Sequence, residues 1–303
     1  MVIPVITRRD VPPARVGVVT AAYVAMLNAG SLFTSLLTAP FAEAFGWPVA
    51  LLVWGVLALA GIVLWSVHLA RSRRAGVDTD ERYSGAPSTP ATAPNDVDPR
   101  ILTGPMPAVA PRARSFLRRP VPWLLFASFA CQTLIYFGFT TWLPVLSGDL
   151  LGLDQTAAGA LASVFQGVAI AGAFVVPLLA RIAPSWVTVA VIGGSWIVLT
   201  LGVLVAPHLM LLWLSIGAIA HSGGFVAIFT VLVQVARSDA EAAGMSAFVQ
   251  GGGYAIGAIG GPVLGAMHEA SGGWTSGLTL LVVLAVLYTA LLSAAFAAVR
   301  ASR

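Results

Sequence analysis

Long apolar stretches alternate with short polar ones along most of the chain, and this pattern predicts helices that cross a membrane. An α-helix of about 20 apolar residues crosses the hydrocarbon core of a bilayer. Because lipid offers no partner to backbone polar groups, each stretch is expected to be helical. The predicted spans are residues 17–41, 48–70, 122–146, 157–180, 186–206, 209–235, 244–267 and 275–299. The fold class that follows is an all-α integral membrane protein with about eight transmembrane helices.

Residues 71–121 break this pattern, since they are rich in Pro, Ala and charged residues. A segment of this composition buries too little apolar surface to offset the entropy lost on ordering. We therefore predict a disordered cytoplasmic linker here. It separates residues 1–70, which hold two predicted spans, from residues 122–303, which hold the other six.

The composition agrees with a chain dissolved in lipid. The sequence is 58% hydrophobic and only 9% charged, whereas soluble domains contain about 25% charged residues. A net charge of +4 would also fit a nucleic-acid partner. The Arg residues lie between the apolar stretches, however, and membrane topology explains that placement better. We expect the lipid bilayer as a partner and no nucleic acid.

The basic residues are all Arg, and they predict which side of the membrane each loop occupies. If both termini are cytoplasmic, all 16 basic residues fall on the cytoplasmic side. This is the positive-inside asymmetry of membrane proteins. The predicted outer side receives Glu43, Asp149, Asp154, His208, His268 and Glu269. The predicted location is the cell membrane, multi-pass, with both termini in the cytoplasm.

An internal repeat relates the two spans before the linker to the last two spans of the chain. The paired positions are Gly17 with Gly244, Gly30 with Gly257, Gly46 with Gly273, Trp47 with Trp274, and Arg73 with Arg300. Parallel repeats of six helices build one class of secondary transporter. The repeat then makes residues 122–303 a complete C-terminal six-helix unit and residues 1–70 the end of an N-terminal one. Four further helices would precede Met1.

Short motifs in a fixed order carry a resemblance to a known family. They are Ile3-Pro4 through Val11-Pro12, Trp47-Pro48, Tyr136 with Trp142-Leu143-Pro144, Ala158-Gly159, Phe165-Gln166, Gly244-Met245-Ser246, Gln250-Gly251 and Gly253-Tyr254. In these motifs the chain resembles the cyanate permease and 2-nitroimidazole transporter family of the major facilitator superfamily. The resemblance implies a major facilitator-like helical bundle that moves a small solute by alternating access. It points to a small anion such as cyanate, or to a nitroaromatic compound.

The same resemblance leaves a second function open. The family's first four helices have no counterpart in this sequence, and Arg181-Ile182 stands where many relatives have an Asp-Arg pair. Half of a central site cannot alternate between the two sides of a membrane. The alternative is therefore a truncated, non-transporting membrane protein, or a subunit that needs a partner chain.

Polar side chains deep in the predicted spans are the candidates for solute contact, because an unpaired polar group in lipid is costly. Three of them recur every fourth residue and so share one helix face. His221 adds an imidazole, which can change its charge near neutral pH. The candidates are Tyr23, Asn28, Gln132, Tyr136, Thr140, Gln166, His221, Gln250 and Tyr254. The alternative role for each is a hydrogen bond between neighbouring helices.

Enzymatic chemistry finds no support in the sequence. No His, Cys, Asp and Glu cluster has metal-ligand spacing, and the neighbouring His221 and Ser222 would point about 100° apart on a helix. We expect no catalytic residue, metal or cofactor. No charged residue lies deep in a predicted span, so no proton-coupling carboxylate is visible. Protons stay a candidate partner, with uniport or exchange as the alternative.

Overall fold

The computed structural model describes residues 11–83 and 116–301, and within these ranges it contains helices and no strand. The helices are α1 Val16–Phe45, α2 Trp47–Tyr83, α3 Pro120–Leu151, α4 Gln155–Gly172, α5 Val175–Ile182, α6 Ser185–Val205, α7 Met210–Val235, α8 Asp239–Ser246, α9 Gly252–Gly257, α10 Gly260–Ser271 and α11 Thr275–Ala301. In this part of the chain 7 stretches are long and apolar enough to cross a membrane, with α4 and α5 together forming one of them. The predicted all-α membrane fold is confirmed.

The predicted span 244–267 is not one continuous helix. Its residues form parts of α8 and α10, the whole of α9, and a π-helical turn at Ala247–Gly251. Glycine favours the helix less than other residues do, and here it allows close contact with α3. A Cβ on Gly260 would lie 2.6 Å from the carbonyl oxygen of Leu134. The segment therefore packs along α3 in short pieces.

Helix α2 continues beyond the predicted span 48–70 as far as Tyr83. The first part of the predicted disordered linker is therefore helical. No Pro occurs between Pro48 and Pro87, and Pro is the residue that breaks a helix most strongly. Loss of hydrophobicity ends the predicted membrane span without ending the helix. The predicted linker residues 84–115 lie outside the described residues.

The described residues divide into two compact units. The first contains residues 11–37 and 116–301, and the second contains residues 38–83, so the predicted boundary at residue 70 does not coincide with this division. In the first unit α3 packs against α9, α10 and α11, α6 packs against α7 and α11, and α4 packs against α7. The largest fully buried side chains there include Trp196, Tyr288, Phe129, Phe139 and Phe165.

The second unit consists of the end of α1 and the whole of α2. Trp54 Nε1 donates a 3.0 Å hydrogen bond to Thr38 Oγ1, and the Trp54 ring stacks on Phe41 with 6.3 Å between centroids. Between the helices Gly46 has a φ of 82°, a left-handed conformation that glycine readily adopts at helix ends. Most apolar side chains of α2 between Leu51 and Trp65 are exposed, as expected where the surrounding solvent is lipid.

In the first unit, the described Arg residues lie at one set of helix ends, where Asp239 and Glu241 are also found. One end carries Arg15, Arg118, Arg119, Arg181, Arg237 and Arg300. The other carries Asp149, Asp154, His208, His268 and Glu269. The helix bounds thus reproduce the clustering of Arg residues on which the predicted topology rests.

One ion pair ties together the connections at the Arg-bearing end. The Arg119 guanidinium pairs with Glu241, which is only 4% exposed, and also donates a 3.1 Å hydrogen bond to the carbonyl oxygen of Val235. The second Glu241 oxygen accepts a 2.6 Å hydrogen bond from the backbone N–H of Arg237. The buried carboxylate is therefore satisfied on both oxygens, and it joins the start of α3 to the α7–α8 connection.

Candidate solute site

A cavity of about 210 Å³ lies inside the first unit, between α1, α3, α7 and α9. Its lining residues are Val24, Leu27, Asn28, Ser31, Phe129, Gln132, Thr133, Tyr136, Phe137, His221, Phe225 and Tyr254. Pockets for drug-sized ligands measure roughly 300–1,000 Å³. This cavity therefore has room for a smaller solute, of about the size of a single substituted ring.

The centre of the cavity is a stack of two rings from different helices. Tyr136 of α3 and His221 of α7 lie nearly parallel, with 4.0 Å between ring centroids and 9° between planes. The Tyr136 hydroxyl accepts a 3.0 Å hydrogen bond from Gln166 Nε2 of α4, and Ser31 of α1 also lines the cavity. Contacts with α4 and α7 thus fix the ring and the hydroxyl of Tyr136.

Two amide side chains supply hydrogen-bonding groups at the cavity wall. Gln132 Nε2 donates a 2.9 Å hydrogen bond to the carbonyl oxygen of His221, and Asn28 Nδ2 donates a 2.9 Å hydrogen bond to the carbonyl oxygen of Val24. Gln132 Oε1 is buried with no hydrogen-bond partner among the described residues, as is His221 Nδ1. Buried polar atoms usually have partners, and both of these atoms are inaccessible to solvent in this conformation.

Aromatic rings cover much of the remaining wall. The Phe129 ring packs edge-on against Tyr254 at 5.1 Å and against Phe225 at 5.7 Å, and Phe137 lies 6.2 Å from Tyr254. Aromatic pairs at these distances and tilts attract each other beyond simple area burial. They leave ring faces and edges along the cavity that can pack on a flat solute.

The cavity wall carries no formal charge from acidic or basic side chains. None of its twelve described lining residues is Asp, Glu, Lys or Arg, and His221 is the single imidazole. Bringing an ion into such surroundings without a partner of opposite charge costs several kcal/mol. The arrangement suits hydrogen bonding and ring stacking more than ion pairing.

The structure brings five of the nine predicted site residues to the cavity wall and a sixth next to it. Asn28, Gln132, Tyr136, His221 and Tyr254 line the cavity, and Gln166 holds the Tyr136 hydroxyl. The roles of all nine in solute binding stay predictions.

Three predicted residues are not among the lining residues. Thr140 donates its hydroxyl to the carbonyl oxygen of Tyr136 at 2.7 Å, one turn earlier on the same helix. Gln250 lies in the π-helical turn and bonds to Ser246 Oγ at 3.1 Å. Tyr23 packs against Phe225 with 6.2 Å between ring centroids. Each of these side chains is engaged with its own helix or with a neighbouring helix.

The prediction from sequence missed the aromatic part of the wall, which is formed by Phe129, Phe137 and Phe225. A signal for it exists in the spacing. Phe225 follows His221 by one helical turn, and Phe129 and Phe137 each lie a turn from Thr133, so four-residue spacing places them beside the predicted polar faces. Phenylalanine is so common in membrane helices that the spacing alone does not separate cavity wall from lipid-facing surface.

Together, the long apolar helices and their packing are those of a multi-spanning membrane protein. The chain belongs to the Major Facilitator Superfamily, which it matches over residues 2–258. It is similar to the 2-nitroimidazole transporter of Escherichia coli (strain K12), with 23% identity over 289 residues that cover 95% of this chain and 66% of that protein. It is also similar to the uncharacterized transporter YycB of Bacillus subtilis (strain 168), with 22% identity over 275 residues that cover 89% of this chain and 61% of that protein. The chain spans less than two thirds of the length of either relative.

Proposed function

We propose that this protein moves a small, uncharged, planar solute across the cell membrane by alternating access to its cavity. The observation that carries the proposal is the parallel stack of Tyr136 on His221 within an uncharged, largely aromatic wall. Membership of the Major Facilitator Superfamily supports transport as the activity, because its two halves rock about a site between them.

The chemistry of the wall favours a nitro-substituted ring over cyanate. A flat ring can pack on Tyr136 and Tyr254, while Asn28 at the cavity wall can hydrogen-bond a polar substituent. Cyanate is a compact anion, and none of the described lining residues offers it a fixed positive charge. The name of the Escherichia coli relative, a 2-nitroimidazole transporter, supports the same choice.

Uptake into proteoliposomes containing the full chain tests the proposal, with 2-nitroimidazole and cyanate as probes. We expect saturable uptake of 2-nitroimidazole and none of cyanate. Tyr136→Ala removes a ring contact worth about 1 kcal/mol and a hydrogen bond worth about 1 kcal/mol, so it should lower kcat/KM by about tenfold or more. The control is Ser215→Ala, because Ser215 is only half-buried, bonds within its own helix and lines no part of the cavity. Uptake of cyanate alone, or uptake unaffected by Tyr136→Ala, would contradict the proposal.

A binding measurement on the same preparation separates transport from its alternative. If 2-nitroimidazole binds the purified chain and Tyr136→Ala weakens that binding, but proteoliposomes show no uptake, the chain is a solute-binding membrane subunit that needs a partner chain. If neither binding nor uptake occurs, the site proposal is wrong.

We further propose that transport of the solute is not coupled to protons and proceeds by uniport or exchange. The support is the absence of an acidic or basic side chain among the described lining residues. An imposed pH gradient should then drive no more 2-nitroimidazole into proteoliposomes at equilibrium than into protein-free liposomes. Accumulation driven by the gradient would instead show proton coupling, and its loss in His221→Gln would identify the proton carrier.

We also propose that the Arg-bearing helix ends face the cytoplasm of a cell membrane. The support is the positive-inside tendency of membrane proteins, together with the placement of the described Arg residues at one end of the first unit.

A further inference from the structure

Two clefts meet at the Arg-bearing end of the first unit. The first, here called the α6–α11 cleft, measures about 550 Å³ and lies between the start of α6 and the end of α11. The second, here called the hydroxyl cleft, measures about 330 Å³ and is also lined by α5 and α7. Ser185, Phe296 and Arg300 line both of them. One guanidinium therefore stands at the junction of two cavities that are separate from the candidate solute site.

The α6–α11 cleft has mostly apolar walls beneath an interfacial tryptophan. Val189, Phe296 and Ala297 form its sides, and Trp186 at the start of α6 is 63% exposed. Tryptophan at the end of a membrane helix sits at the level of lipid headgroups. A cleft that runs inward from this level has the right polarity for an acyl chain.

The hydroxyl cleft is more polar. Thr188, Thr230 and Gln234 line it together with Ser185 and Arg300. Ser185 and Gln234 carry a hydroxyl and an amide at the wall, and groups of this kind can hydrogen-bond a polar occupant of the cleft.

Arg300 is the charged group at the junction. It is exposed, and it makes no ion pair or hydrogen bond with the described residues. Among the described residues that line the two clefts there is no Asp or Glu. Guanidinium groups bind phosphate oxygens through paired hydrogen bonds, and basic pockets between membrane helices on the cytoplasmic side recognise anionic headgroups.

We propose that this junction binds an anionic phospholipid. Arg300 holds the phosphate, the α6–α11 cleft takes an acyl chain, and the hydroxyl cleft takes the polar substituent of the headgroup. The proposal does not depend on the transported solute, because none of these residues lines the central cavity.

Native mass spectrometry of the purified full chain tests the proposal, with phosphatidylglycerol and phosphatidylcholine supplied at equal concentration. We expect the wild-type chain to retain phosphatidylglycerol in preference to phosphatidylcholine. Arg300→Gln should reduce the retained phosphatidylglycerol about fivefold, the effect of one basic residue near a lipid surface. Arg237→Gln is the matched control, since Arg237 is an exposed Arg at the same end that lines neither cleft.

A second variant tests the cleft separately from the charge. Ala297→Trp fills the α6–α11 cleft at an exposed position and leaves Arg300 in place, so it should also reduce retention. Millimolar inorganic phosphate should not displace the retained lipid. The proposal is overturned if the wild-type chain retains the two lipids equally, or if Arg300→Gln and Arg237→Gln retain equal amounts of phosphatidylglycerol. It is also overturned if Ala297→Trp retains as much lipid as the wild-type chain, or if phosphate displaces the lipid. Thermal unfolding in lipid-free detergent establishes that every variant is folded.

Discussion

The Tyr136 hydroxyl accepts a hydrogen bond from Gln166 while its ring stacks on His221. Tyr136→Phe removes the hydroxyl and keeps the stack. Because one hydrogen bond contributes about 0.5–1.5 kcal/mol, we expect the KM for 2-nitroimidazole uptake to rise about three- to tenfold. If the hydroxyl serves only to position Gln166, the Tm of the variant will fall while KM stays unchanged. That pattern would remove the hydroxyl from the solute site.

Gly224 of α7 packs closely against side chains of α3 and α11 near the cavity. A Cβ at this position would touch both Gln132 Oε1 and the Tyr288 hydroxyl. Gly224→Ala should therefore destabilise the protein by about 1–3 kcal/mol, as overpacking of a core does, and lower the Tm in detergent. Gly194→Ala on α6 is the control, because a Cβ there meets nothing within 4 Å. An equal Tm for the two variants would show that α7 can move away from α3 and α11.

At single residues, the sequence predicts polarity and helix face but not the partner of each side chain. Four-residue spacing placed Gln132, Tyr136 and Thr140 on one face, and two of the three line the cavity. Thr140 instead bonds to the backbone one turn earlier, as Thr does readily within helices. The choice between these partners depends on a side-chain torsion, which residue spacing does not encode.

Helices α9 and α10 pack on α3 through glycine, and the contact is made by backbone atoms. A Cβ on Gly260 would lie 2.6 Å from the carbonyl oxygen of Leu134 and 3.0 Å from the backbone nitrogen of Gly138. Backbone atoms cannot rotate away as a side chain can. We therefore expect Gly260→Ala to lower the Tm more than Gly224→Ala does, with thermal unfolding in detergent as the measurement.

The matched control for this contact is Gly30→Ala. A Cβ on Gly30 meets nothing within 4 Å, and alanine at an unstrained helical position usually stabilises by about 0.4–1 kcal/mol. Its Tm should equal or slightly exceed that of the wild-type chain. If Gly260→Ala behaves in the same way, α10 is not held against α3 as described.

Most elements could be predicted because a membrane span depends on little beyond apolar length. The predicted span 209–235 and α7, for example, differ by one residue at the start. The segment 244–267 could not be resolved in the same way. Its glycines are compatible with a regular helix that packs closely on its neighbour. They are equally compatible with a helix that contains a π-helical turn, so the sequence does not distinguish the two. The difference arises from contacts with α3, which lie far away in sequence.

For the molecule as a whole, the clustering of Arg residues predicts the orientation in the membrane. The single Cys131 is buried, so an introduced cysteine can be labelled selectively. In intact cells, a membrane-impermeant maleimide should label Glu269→Cys and should label Arg237→Cys only after permeabilisation. Both positions are exposed, so accessibility within the protein does not differ between them. The reverse pattern would mean that the Arg-bearing end faces outward.

The π-helical turn at Ala247–Gly251 bears on how such a protein could change during evolution. A π-helical turn holds an extra residue relative to the α-helix, which is what a one-codon insertion leaves behind. Successive residues of a helix point about 100° apart. Tyr254 therefore faces the cavity only with the present number of residues between it and the start of the helix. A lineage that lost one codon here would keep the apolar segment intact and present a different side chain to the cavity. Solute preference could then diverge without a single amino-acid replacement.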